Sequence, residues 1–181
     1  EHIQLIQLHN RISFEQNVAQ DILSVQDILS DVTDSFNVLQ KEGKASFWGI
    51  TGLGDTDAIH KVIEVGNMHS VQTVYNLLNQ TAGKGTTQRL EDQDFKNLID
   101  KVDINKMGVI VIRPLAGGAL TGENTRHPVA STAPMPMGSD LNYSDDVERA
   151  KRLVFVEKEG YLESLSLQIP HHRACDNYEK T

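Results

Sequence analysis

Several positions along the chain hold residue types that could bind or polarise a small molecule. His9, with Asn10, ends the apolar run Ile3-Gln4-Leu5-Ile6-Gln7-Leu8. Its imidazole can donate or accept a hydrogen bond at either ring nitrogen. Thr51 and Gly52 follow Ser46-Phe47-Trp48-Gly49-Ile50, and Gln72 lies within Val71-Gln72-Thr73-Val74-Tyr75, shortly before Asn76. A glutamine amide donates and accepts at once, so Gln72 in an apolar run can satisfy core polar groups. Ile112 and Arg113 lead into Pro114-Leu115-Ala116-Gly117-Gly118-Ala119-Leu120-Thr121-Gly122. Gly117 and Gly118 form either a tight turn or a place where backbone comes close to an anion. Arg113 is a partner either for a neighbouring carboxylate or for a bound anion. His171, His172 and Cys175 imitate a metal cluster, but their stretch has no apolar period to build the support a metal site needs. No metal is expected.

Each of these positions follows or interrupts a short apolar run, and the runs alternate with amphipathic stretches. Val25, Ile28, Leu29, Val32, Phe36 and Leu39 form one stripe, which predicts a helix over 21–41 stopped by Lys41, Gly43 and Lys44. Asp55 or Thr56 can cap a second helix that turns Ala58, Ile59, Val62 and Ile63 inward and stops at Gly66. Phe95, Leu98, Ile99 and Val102 predict a third, ending near Gly108. Val109-Ile110-Val111-Ile112 is continuously apolar, as expected of a strand buried on both faces. Residues 123–143 hold three of the five prolines and read as a long loop or lid. A last helix starts near Ser144 or Asp145 and carries Val147, Ala150, Leu153 and Val154, and beyond Leu167 no period remains.

Strand and helix alternate through about four units, which implies parallel strands joined by right-handed crossovers. An open doubly wound sheet and a β/α barrel both satisfy that pattern. No G-x-G-x-x-G opens a helix after a strand, so a Rossmann site is disfavoured. The expected fold is therefore α/β, a parallel (β/α) barrel of TIM type, incomplete, over residues 1–165, with residues 166–181 a frayed or non-native tail. In barrels the chemistry sits at the carboxyl-terminal rim, where His9, Thr51, Asn76 and Arg113 would lie.

Composition removes several function classes. The 181 residues carry 25 acidic and 17 basic side chains, a net charge of −8, which argues against a nucleic-acid groove. No run approaches the roughly 18 apolar residues of a membrane span. The lone Cys175 excludes a disulfide within the chain. The opening at Glu1, without Met or a signal-like segment, suggests a start inside a longer gene product and a cytoplasmic setting.

Taken together, Ile6-Gln7-Leu8-His9-Asn10, Gly43-Lys44 before Trp48-Gly49-Ile50-Thr51, Val71-Gln72 with Tyr75-Asn76-Leu77-Leu78, and Pro114 through Gly122 fall in an order that resembles the fourth to seventh strands of an aldo/keto reductase. The resemblance covers about residues 3–165, and only the second half of that family's barrel. It implies a nicotinamide cofactor, NADPH or NADH, that passes hydride to a small-molecule carbonyl substrate. His9 matches the family's catalytic histidine, which orients the carbonyl and hydrogen-bonds the developing oxyanion. Gln72 matches the residue that holds the nicotinamide carboxamide. Thr51 and Gly52 stand where a Ser-Asn pair usually shares that task, and the glycine supplies no side chain for it. Leu115, Gly117 and Gly118 match the loop over the pyrophosphate. Ile112, with Arg113 beside it, stands where many members place an aromatic ring against the nicotinamide.

The family's catalytic Asp, Tyr and Lys belong to strands ahead of His9, and no part of these 181 residues matches them. The basic residues that hold the adenosine phosphate follow the last helix, where this sequence reads Gln168 to Thr181. The expectation is a truncated oxidoreductase domain with weak or no turnover. The alternative is a non-enzymatic half-barrel acting as an oligomeric structural or binding module, its open face covered in a homo-oligomer.

Overall fold

The computed structural model describes residues 1–83, 93–125, 129 and 142–153. Its frame is a four-stranded parallel sheet in the order β1-β4-β5-β6, with β1 Ile3–Leu8, β4 Ala45–Thr51, β5 Ser70–Val74 and β6 Gly108–Ile112. Each of these strands leads into a helix later in the chain. These are α1 Val25–Asp27 and α2 Thr33–Lys41 joined through a π-helical turn at Ile28–Val32, then α3 Thr56–Val65, α4 Leu98–Ile104 and α5 Tyr143–Lys151. Parallel strands with helical crossovers make this an α/β fold, the arc of a TIM-type barrel with four βα units.

The core lies between the sheet and α1 to α4. Ile50 and Val71 from the sheet meet Ile59, Val62 and Ile63 of α3 and Leu98 and Val102 of α4, all at 0 or 1% exposure. Trp48 is fully buried and stacks on Phe36 of α2, with ring centroids 4.9 Å apart and planes 12° apart. The expected stripe of the first helix is thus realised, although the π turn adds a residue to its phase.

Three expectations need correction. The first helix begins at Val25 rather than near residue 21, because Ile22–Ser24 forms a strand, β3, paired in parallel with β2 Arg11–Ser13. Ser24 then starts the helix with a capping box: its hydroxyl accepts from Asp27 N–H, and Asp27 accepts from Ser24 N–H at 2.8 Å. Phe95 is buried but lies outside α4, since Lys96 and Asn97 take positive φ (51° and 56°) and delay the helix to Leu98. β6 is not buried on both faces. It forms an edge of the described sheet, with Gly108 exposed and Val109 to Ile112 half-buried.

The capping residues of α3 and α5 are Asp55 and Asn142, whose side chains accept from Ala58 N–H and Asp145 N–H. Most of the expected 123–143 loop, Val154, and the tail lie outside the described residues.

Candidate functional site

A strand's side chains alternate between faces, so residues two apart share one face. Register pairs Gln7 with Gly49 and Ser70 with Gly49, and Thr51 with Gln72. The face opposite the helices therefore presents Gln7 and then His9, Gly49 and then Thr51, Ser70 and then Gln72. Two polar rows cross the sheet, the upper one at the carboxyl ends of β1 and β4 and in the middle of β5, the lower one two residues earlier on each strand.

The upper row is continuous. His9 Nδ1 lies 3.1 Å from Thr51 Oγ1, and Thr51 Oγ1 donates to Gln72 Oε1 at 2.9 Å. Thr51 is 1% exposed, whereas the His9 ring is exposed and Gln72 is half-buried. The hydroxyl is thus a buried link between two groups open to a ligand. Gly52 continues the row through its backbone, its N–H donating to the Gln72 carbonyl at 2.7 Å. A Cβ at residue 52 would stand 2.8 Å from that oxygen, so the site has glycine where a second polar side chain was the family's usual choice.

The lower row was not singled out from the sequence. Gln7 Nε2 donates to Ser70 Oγ across β4, over the bare backbone of Gly49. A Cβ on Gly49 would collide with both partners, which is why a glycine sits inside the strand between Trp48 and Ile50. Gln7 Oε1 is buried without a partner among the described residues. The signal was present in the alternation: Gln7 and His9, Gly49 and Thr51, Ser70 and Gln72 are each two apart.

Ile112, Arg113, Leu115, Gly117 and Gly118 form a second group, at the end of β6. Ile112 is half-buried against the core. Arg113 adopts φ 58°, and its carbonyl accepts from Ala116 N–H at 2.8 Å and from Asn76 Nδ2 at 3.0 Å. Leu115 is 60% exposed, and Ala116, Gly117 and Gly118 follow with φ of 50°, 69° and 107°. Ala116 N–H and Gly118 N–H are committed to the Arg113 and Leu115 carbonyls at 2.8 and 2.9 Å, so what the two glycines offer a ligand is close approach to backbone without side chains. Among the described residues no hydrogen bond joins this group to the His9 row directly.

Asn76 connects the elements that carry them. Its Oδ1 accepts from Leu78 N–H and Asn79 N–H while its Nδ2 reaches the Arg113 carbonyl. The same loop is held from α5, where Arg149 donates to the Leu78 carbonyl at 2.8 Å and pairs with Asp146 at 3.0 Å. From the sequence Asn76 reads as a strand end and as part of the Tyr75-Asn76-Leu77-Leu78 motif, and a loop tether has no sequence period to announce it. Among the described residues no three His, Cys, Asp or Glu side chains are grouped to hold a metal, and no helix is long and apolar enough to cross a membrane.

Comparison with known proteins adds the context for this rim. Among solved structures, the aldo-keto reductase AKR11C1 from Bacillus halodurans (holo form) aligns at 17% identity and a TM-score of 0.49. The alignment covers 80% of this chain and 38% of that one, so this chain spans well under two thirds of that protein's length. No curated protein matches the sequence. The model of the aldo/keto reductase family matches residues 1–167. Since that stretch takes in every strand and helix described above, the chain belongs to the aldo/keto reductase family.

Proposed function

We propose that this chain supplies the nicotinamide-binding and carbonyl-orienting part of an NAD(P)H-dependent oxidoreductase, acting on an aldehyde or ketone in the cytoplasm. The observation that carries the reading is the hydrogen-bonded row His9–Thr51–Gln72. It fits a carboxamide, since the Gln72 amide and the Thr51 hydroxyl offer a donor and acceptors side by side. The left-handed turn at 116–118 fits a pyrophosphate, because its backbone can approach closely where two residues lack side chains. When bound, the cofactor supplies a hydride to the carbonyl carbon. Gln72 would hold the carboxamide, Leu115, Gly117 and Gly118 the phosphates, and His9 would hydrogen-bond the carbonyl oxygen as charge develops on it. Ile112 and Arg113 would flank the nicotinamide.

NADPH titrated into the purified 181-residue chain, followed by cofactor fluorescence, tests the reading. Saturable binding weakened about fivefold by Gln72→Ala is expected, as for one lost hydrogen bond of ~1 kcal/mol. Absence of binding overturns it.

A second reading is favoured by one observation. Ile3, Leu5 and Phe47, 50%, 37% and 44% exposed, share the sheet face opposite the helices. Among the described residues the outer edges of β1 and β6 are also unpaired. Such a face tends to be covered by another chain, and a homo-oligomeric half-barrel would cover it.

A further inference from the structure

We propose that Thr51 is a positioning residue that locks the proton position on the His9 ring to the orientation of the Gln72 amide. Its meaning for catalysis rests on the nicotinamide reading above, whereas the linkage itself rests on three side chains. The Thr51 hydroxyl has one proton and two neighbours, His9 Nδ1 at 3.1 Å and Gln72 Oε1 at 2.9 Å. Oε1 can only accept, so the hydroxyl proton is committed to Gln72. Nδ1 can then sit at hydrogen-bond distance only as a donor. The neutral ring therefore carries its proton on Nδ1 and leaves Nε2 as a bare acceptor facing outward.

Reversing the Gln72 amide reverses the whole row. Gln72 Nε2 then donates to Thr51 Oγ1, the hydroxyl proton turns to His9 Nδ1, and the ring keeps its proton on Nε2. A third arrangement, with the hydroxyl accepting from both sides, strands its own proton in a site where Thr51 is 1% exposed. The two remaining states differ in one chemical respect. Only the second gives His9 a donor at Nε2, the atom free to meet a developing oxyanion. When a bound primary amide turns Gln72 or displaces the hydroxyl from Oε1, which has two lone pairs and so must lose the Thr51 bond for the switch to occur, Thr51 is released to turn its proton to Nδ1. The ring proton moves from Nδ1 to Nε2 through solvent, which the exposed ring reaches. Occupation of Gln72 thereby arms His9.

The ring tautomer is readable without turnover. Long-range proton–nitrogen correlation spectra of the ¹⁵N-labelled chain, at about pH 9 where imidazoles are neutral, distinguish Nδ1–H from Nε2–H rings. His9 is identified among the seven histidines by a His9→Gln variant. The wild-type chain is expected to show His9 predominantly as Nδ1–H, and Thr51→Ser to keep it so. Thr51→Val, which removes the hydroxyl, and Gln72→Leu, which removes its acceptor, are expected to shift the ring to Nε2–H. Gln72 is half-buried, so that variant serves if Thr51→Val does not fold. A wild-type His9 in the Nε2–H form, or an Nδ1–H form that survives Gln72→Leu, overturns the proposal. NADPH is expected to move wild-type His9 to Nε2–H. If NADPH changes no resonance, the nicotinamide reading falls while the linkage, read from the cofactor-free spectra, stands.

Discussion

Thr51 and the glycines around it show how strongly single atoms constrain this rim. Gly49 lies between Gln7 and Ser70, and a methyl group there would meet the Gln7 amide at 2.7 Å and press on the backbone of β5 as well. Gly49→Ala is therefore expected to lower stability by about 1–3 kcal/mol, the usual range for overpacking. Urea unfolding checks it, the midpoint falling without a change in slope. Position 43 offers the contrast. Gly43 has φ 68° and open space around it, so alanine there meets backbone strain alone. His9 and Thr51 were legible as chemistry from their places at strand ends, and Gln72, inside its strand, only through the family resemblance. Their joining into one row was not, because the hydrogen bonds span 42 and 21 residues of sequence.

The helices can be perturbed one at a time at their caps. Asp55 accepts from Ala58 N–H at 2.9 Å, and Asp55→Ala is expected to cost about 1 kcal/mol in thermal or urea unfolding. The cap of the first helix adds a pH dependence. Hydrogen bonds from the Ser24 backbone N–H and hydroxyl hold the Asp27 carboxyl below its ordinary value of 3.8. Its stabilisation is thus complete above that value and is lost as pH falls through the lower folded value. Stability measured against pH should show a shallower acid limb below about pH 4 in Asp27→Asn than in the wild type. The apolar stripe from Val25 to Leu39 already announced this helix, since its period is local. β2 and β3 were missed because three-residue strands have too few alternations to register, and Ile12 owes its burial to contacts made elsewhere. Its N–H and carbonyl bond Leu53 and Asp55 at 2.8 Å each, beside a Gly54 with φ 116° that leaves no room for a Cβ.

For the molecule as a whole, two predictions separate enzyme from scaffold. Hydride transfer leaves an alkoxide that needs a proton, and a positioned general acid typically contributes ~10²–10⁴-fold. The family resemblance places the Tyr and its Lys partner on strands ahead of His9, so carbonyl reduction by these 181 residues is expected at or near background. A rate typical of an intact reductase, abolished by His9→Ala, would refute that. If the sheet's open face is covered by a second copy, sedimentation at tens of micromolar should show a dimer or larger species. A single monomeric species would count against the half-barrel reading.

The sequence by itself pointed to the alternation of four strands with helices, the parallel sheet, and strand ends bearing His9, Thr51, Asn76 and a glycine-rich turn. Those features are written in local periods of two and 3.6 residues and in which residues end each run. Tertiary structure alone decided that Gln7 meets Ser70 over Gly49, that Asn76 grips the Arg113 carbonyl, and that one buried hydroxyl links His9 to Gln72. Each of those contacts depends on strand order and register. Register is set by the packing of whole faces against α1 to α4, which no short stretch of residues contains.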